Sequence, residues 1–99
     1  MNKPLILVVE DDPSVRNLIT TTLKTNDYRY VVAPNGSAAI MEATSHNPEI
    51  ILLELGLPDM DGVQVIQTVR SCSNVPIIVI SARRDDNEKI KALDAGADD

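Results

Sequence analysis

The chain has 99 residues, of which 43% are hydrophobic and 24% charged, a balance that fits one soluble globular domain and argues against a disordered or membrane-embedded chain. Nine basic residues against fifteen acidic ones leave a net charge of −6, which argues against direct binding to a polyanion such as DNA or an anionic membrane. With no Trp or Phe the core has to be aliphatic, and Tyr28 and Tyr30 are its only expected aromatic contributors.

Leu5 to Val9 is a continuous apolar run with β-branched residues, too short for a helix, and it breaks off at Glu10-Asp11-Asp12-Pro13-Ser14. That junction predicts a strand followed by a helix start. Asp12 or Ser14 serves as the cap, Pro13 suits the first turn, and Val15, Leu18, Ile19, Thr22 and Leu23 recur at helical spacing until about Thr25. Tyr30 to Ala33 predicts a second, weaker strand. A helix from about Ser37 then carries Ala39, Ile40 and Ala43 on one face and stops at Asn47-Pro48. Ile50 to Leu53 predicts the third strand, and Glu54 and a Gly, Pro and Asp-rich loop separate it from a helix over 62–70 with Val65, Ile66 and Val69 inward. Val75 to Ile80 predicts the fourth strand. Asp85 or Asp86 caps a last helix carrying Ile90 and Leu93, and Gly96 suits its left-handed C-cap.

Strand and helix alternate four times, and strands one, three and four are apolar on both faces. The expected fold is therefore α/β, a doubly wound parallel sheet in one domain, without internal repeat or linker. The single Cys72 cannot form an internal disulfide. No secretory pattern opens the chain, and no apolar stretch nears the roughly 20 residues that span a bilayer. A reducing cytoplasm is the expected setting, with no membrane contact.

In an open parallel sheet, ligands bind beyond the carboxyl ends of the strands. Strand one delivers Glu10 and Asp11 there, strand three Glu54 and strand four Ser81. Carboxylates within about 4 to 6 Å raise one another's pKa, so such a cluster calls for a cation, and oxygen donors favour a hard ion such as Mg2+. A dinucleotide site would need a glycine-rich turn where Glu10-Asp11-Asp12-Pro13 stands, and an aspartyl phosphohydrolase fits the same residues only loosely. Other polar residues read more simply: Asp12 as a cap, Asp59 and Asp61 as loop and cap residues, His46 as solvent-facing, Cys72 as unreactive, and Arg83-Arg84 as a solvated loop pair.

Val8-Val9-Glu10-Asp11-Asp12, Glu54-Leu55-Gly56-Leu57-Pro58-Asp59-Met60-Asp61-Gly62, Ile80-Ser81-Ala82-Arg83 and Ala95-Gly96-Ala97-Asp98-Asp99 together resemble the receiver domain of bacterial two-component response regulators. The Leu-Gly-Leu-Pro-Asp wording is similar to that of the potassium-transport transcription regulators within that family. The resemblance implies a flavodoxin-like receiver fold and a carboxylate on strand three that takes a phosphoryl group from a sensor histidine kinase. It implies Mg2+ at Glu10, Asp11, Glu54 and the Gly56 carbonyl, with Asp11 a direct ligand, and Ser81 as the hydroxyl that holds the phosphoryl group. DNA would be reached only through a winged-helix domain outside the chain.

Two departures from the pattern follow. The family's acceptor is Asp, whereas Glu54 is longer by roughly one carbon-carbon bond, about 1.5 Å. The chain also stops where the family continues into a fifth strand, its lysine and a fifth helix, so residues 1–99 form an incomplete receiver. Strand four is then expected to be an exposed apolar edge that invites self-association. With Glu54 in the acceptor position, a phosphorylation-independent binding module is the alternative function.

Overall fold

The computed structural model describes residues 3–80 and 86–99, and for 86–89 only the backbone. The order is β1 (Leu5–Val9), α1 (Pro13–Thr25), β2 (Arg29–Ala33), α2 (Gly36–His46), β3 (Ile50–Leu53), α3 (Gly62–Arg70), β4 (Ile77–Val79) and α4 (Asp86–Ala95). All pairings are parallel, in the order β2-β1-β3-β4. The chain thus builds the doubly wound α/β fold with four strand-helix units.

Side chains alternate between the faces of a strand, and the register places Leu7, Ile51 and Ile77 in one row and Val8, Leu52 and Ile78 in the next. The first row joins Val9, Leu53, Ala39, Val65, Ile66, Val69 and Ala92 in the main core, under α2, α3 and α4. Helix α1 covers the other face over β1 and β2. Beyond it Leu52 is only half-buried and Ile78 is 36% exposed.

The inward face expected of α3 is buried as a whole. Other expectations are corrected. Tyr28 and Tyr30 are both exposed: Tyr28 precedes β2 and Tyr30 lies on it, and β2 is an edge strand of the sheet. On α1, Leu18 is 69% exposed and Val15 is exposed as well, since that helix packs chiefly on β1 and β2. Among the described side chains of α4 the buried one is Ala92, while Ile90 and Leu93 are exposed. Strand β4 is shorter than Val75 to Ile80 because Pro76 has no N–H and Val75 is held by side chains: its N–H donates to Ser73 Oγ and its carbonyl accepts from Arg70. Ser81, Arg83-Arg84 and the cap expected from Asp85 or Asp86 lie outside the described side chains.

The expected bare edge of β4 is partly filled. Gly96 ends α4 at φ 119°, as its C-cap role requires, and the chain turns onto β4, where Asp98 N donates to the Ile77 carbonyl (2.9 Å) and Val79 N to the Asp99 carbonyl (2.8 Å). Arg70, at the end of α3, fixes this turn. Its guanidinium donates to the carbonyls of Gly96 (2.9 Å), Val75 (2.6 Å) and Ser73 (3.3 Å) and to Asp98 Oδ2 (2.8 Å), which also accepts from Ile77 N. The planar fork of Arg makes these bonds together, and Lys cannot. Arg70→Ala should therefore lower stability in urea unfolding by about 2 to 3 kcal/mol, as expected when charged hydrogen bonds are lost, and Arg70→Lys should recover little of it.

Candidate functional site

The carboxyl ends of β1 and β3 lie side by side because Val9 pairs with Leu53. One residue further on, Glu10 N donates to the Ala33 carbonyl (3.1 Å) and Glu54 N to the Val9 carbonyl (3.0 Å). The sheet's own ladder thus places the two carboxylates on neighbouring strand ends.

Glu10 is the one buried charged residue among those described, at 3% exposure. Its Oε1 accepts from Asp12 N (3.1 Å), and its carbonyl accepts from Arg16 Nη1 (3.2 Å). Burial pushes its pKa above the usual carboxylate value, and the charges of Glu54 and Asp11 push it the same way against the opposing effect of the Asp12 N–H. Glu54 is half-buried, and its Oε1 accepts from Gly56 N (3.1 Å). Asp11 is exposed beside them.

The structure therefore brings Glu10, Asp11, Glu54 and Gly56 to one edge, and Ser81 lies outside the described residues. The three carboxylates do not close as a cage. Among the described residues no group of three His, Cys, Asp or Glu side chains is arranged to hold a metal ion. The cause is visible in the bonds: Glu10 and Glu54 each turn an oxygen onto an amide of their own loop. Mg2+ typically takes one or two carboxylates and keeps several waters, so the residues present fit it as a partly hydrated ion and not as one enclosed by protein. The raised pKa of Glu10 points the same way, because a cation would relieve the charge that burial disfavours.

The loop behind Glu54 is tightly closed. Gly62 N donates to the Leu55 carbonyl (2.9 Å), Gly56 bridges Asp61, and a Cβ at Gly62 would lie 2.7 Å from Leu55 Cα. Asp12 and Asp61 cap α1 and α3 as expected, accepting from Ser14 N (2.8 Å) and Val63 N (3.0 Å). Asp59 does something the sequence did not suggest: it caps α2, 23 residues earlier, accepting from Gly36 N (2.7 Å) and Ser37 N (3.0 Å). Those bonds hold its pKa below the usual carboxylate value. The reach of Arg16 to Glu10 was also missed, although its place one turn into α1 was a usable signal. His46 is half-exposed as expected but pairs with Glu42 at 2.6 Å.

A cleft of about 400 Å3 lies elsewhere, between the C-terminal ends of α2 and α3, lined by Ile40, Ala43, Thr44, Val69 and Cys72 among others. None of its lining side chains is charged, so it offers nothing to the chemistry of the acidic edge.

Residues 6–99 match the family model described as the response regulator receiver domain. Among curated proteins the chain is similar to the KDP operon transcriptional regulatory protein KdpE of Escherichia coli, 44% identical over 94 residues, covering 95% of this chain and 42% of that protein. It is 41% identical over 95 residues to the transcriptional regulatory protein KdpE of Mycobacterium tuberculosis, covering 96% of this chain and again 42% of the relative. The chain thus spans less than half the length of these relatives. Among solved structures it resembles the BeF3-activated N-terminal receiver domain of Klebsiella pneumoniae RstA, with TM-score 0.88, 33% identity, and 94% of this chain and 80% of that one covered. The receiver domain of the Francisella response regulator 1452 gives TM-score 0.89 at 30% identity, covering 98% of this chain and 81% of that one.

The buried carboxylate makes stability depend on pH. The folded pKa of Glu10 lies above its ordinary value of 4.5, so the native state binds that proton more tightly than the unfolded chain does. The favourable contribution is complete below 4.5 and is lost as pH rises through the folded pKa, which leaves the native state with a buried charge at neutral pH. Glu10→Gln should therefore melt higher than the wild type at pH 7 in metal-free buffer, and the gap should narrow as pH falls toward 4.5. Melting curves across that range check it; a gap that widens in acid would contradict it.

Proposed function

Because the chain belongs to the response regulator receiver domain family, we propose that it receives a phosphoryl group from a sensor histidine kinase at Glu54, the strand-three carboxylate, and signals to a DNA-binding output domain outside these residues. It is a signalling module and not a turnover enzyme. The observation that carries this reading is the buried Glu10 carboxylate held on the strand end next to Glu54. Such a pair suits an electrophile that arrives with a divalent cation.

In the step itself, a Glu54 carboxylate oxygen bonds to phosphorus while the P–N bond of the donor phosphohistidine breaks. The imidazole keeps the electron pair and takes up a proton, and the product is an acyl phosphate. Mg2+, when bound, would neutralise charge that develops on the phosphoryl oxygens. Glu10, Asp11, Glu54 and the Gly56 carbonyl are the groups we assign to it, with Asp11 as the exposed direct ligand. Ser81 is the hydroxyl we assign to a phosphoryl oxygen.

The acceptor's length sets the rate. One extra methylene moves the attacking oxygen by about 1.5 Å, and a misplacement near 1 Å costs on the order of a hundredfold. With acetyl phosphate and Mg2+, in a chain extended through the family's fifth strand and its lysine, the Glu54 protein should acquire base-labile phosphate on the order of a hundredfold more slowly than Glu54→Asp. Equal labelling of the two would overturn this account of the acceptor.

A second reading rests on the bond from Gly56 N to Glu54 Oε1, which gives the carboxylate a standing partner in its own loop. In that case Glu54 fixes one state, and the chain binds a protein partner without regard to Mg2+ or phosphodonor. Partner binding that ignores both reagents but disappears in Glu54→Ala would favour it.

The resemblance to KdpE regulators supports a transcriptional output and a cytoplasmic setting, and among the described residues no helix is long and apolar enough to cross a membrane. We also propose self-association of the 99-residue chain through the β4 edge, where Ile78 and Leu52 are incompletely covered. Sedimentation should show dimers or larger species growing with concentration; a monomer at high concentration would contradict it.

A further inference from the structure

The first amides of a helix have no partner within it, and at α2 those of Gly36, Ser37 and Ala38 are each bonded from outside the helical ladder. Ala38 N donates to Asn35 Oδ1 (2.8 Å), the ordinary local cap, and Ala39 N to the Asn35 carbonyl (3.0 Å) starts the helix's own ladder. Gly36 N and Ser37 N instead donate to the two carboxylate oxygens of Asp59. A negative charge at this end also meets the positive end of the helix dipole.

The next residue adds a second attachment. Met60 is packed so closely on buried Gly36 that a Cβ there would run into its Cγ and lie 2.7 Å from its Sδ. The loop after Glu54 is thus held at its base by the Gly62 to Leu55 bond and the Gly56–Asp61 bridge, and at its tip by α2. Gly56 stands at that base, bridged to Asp61 two residues after Asp59, and its N–H is the one bonded to Glu54.

We propose that Asp59 is a positioning residue for the acidic edge: by fastening the loop tip to the N-terminus of α2, it fixes where Gly56 stands beside Glu54. The use made of Gly56 rests on the functional reading above, whereas the coupling itself needs neither metal nor phosphoryl donor. A residue that merely capped α2 would protect Gly36 and Ser37 and leave Gly56 indifferent.

Amide hydrogen exchange of the metal-free chain separates the two. In Asp59→Ala, exchange should quicken at Gly36 and Ser37 and also at least about fivefold at Gly56 and Gly62, with Ile51 and Glu54, bonded to neighbouring strands, unchanged. Asp59→Asn keeps one carbonyl acceptor and should give intermediate rates. Gly36→Ala, which displaces Met60 and leaves the carboxylate in place, should quicken Gly56 as well. Acceleration confined to Gly36 and Ser37, or spread equally over Ile51 and Glu54, would overturn the proposal. Failure of Mg2+ to bind the wild type would count against the functional reading and leave these rates to decide the coupling.

Discussion

A carboxylate buried at the end of an apolar strand is the constraint on which the rest of this structure depends. Glu10 follows Leu5–Val9, a strand paired on both sides, and its backbone continues the ladder into β2. The side chain has no freedom to withdraw into water. Desolvation and the neighbouring charge of Glu54 make it an uneasy group, and one amide from Asp12 offsets only part of that. Such an arrangement costs the fold stability whenever Glu10 is ionised.

The surroundings keep this edge in place. Arg70 ties α3, the lead into β4 and the turn after α4 together with one guanidinium, so the far side of the sheet holds its register although β4 has only three residues in regular strand. Asp59 ties the loop behind Glu54 to α2. The two clamps are alike: each is a single charged side chain that satisfies more than one backbone group of an element distant in sequence, in a chain with no aromatic core to supply rigidity.

Much of this was legible in the sequence, for identifiable reasons. The strands β1 and β3 are unbroken aliphatic runs that stop at carboxylates, and α3 has Val65, Ile66 and Val69 at helical spacing, so period and punctuation agreed with the final packing. Glu10, Asp11 and Glu54 were readable as one edge because strand ends in a parallel sheet converge, whereas Gly56 came only from the resemblance to the family. The misses have a common cause. Tyr28, Tyr30, Leu18, Ile90 and Leu93 are apolar or aromatic and look like core, but whether a face is covered depends on which element lies over it, and periodicity does not carry that information. Asp59 was read as local because local caps are common; its true partner is 23 residues away in sequence. The bonds from Asp12 N to Glu10 and from Gly56 N to Glu54 were not legible either, because loop amides satisfying nearby carboxylates leave no mark in the sequence.

A Mg2+ titration of the 99-residue chain, followed by backbone amide resonances, tests the central claim most directly. The account predicts saturable shifts centred on Glu10, Asp11, Glu54 and Gly56, and their loss in Glu10→Gln. Shifts that fail to saturate, or that persist unchanged in that variant, would contradict it.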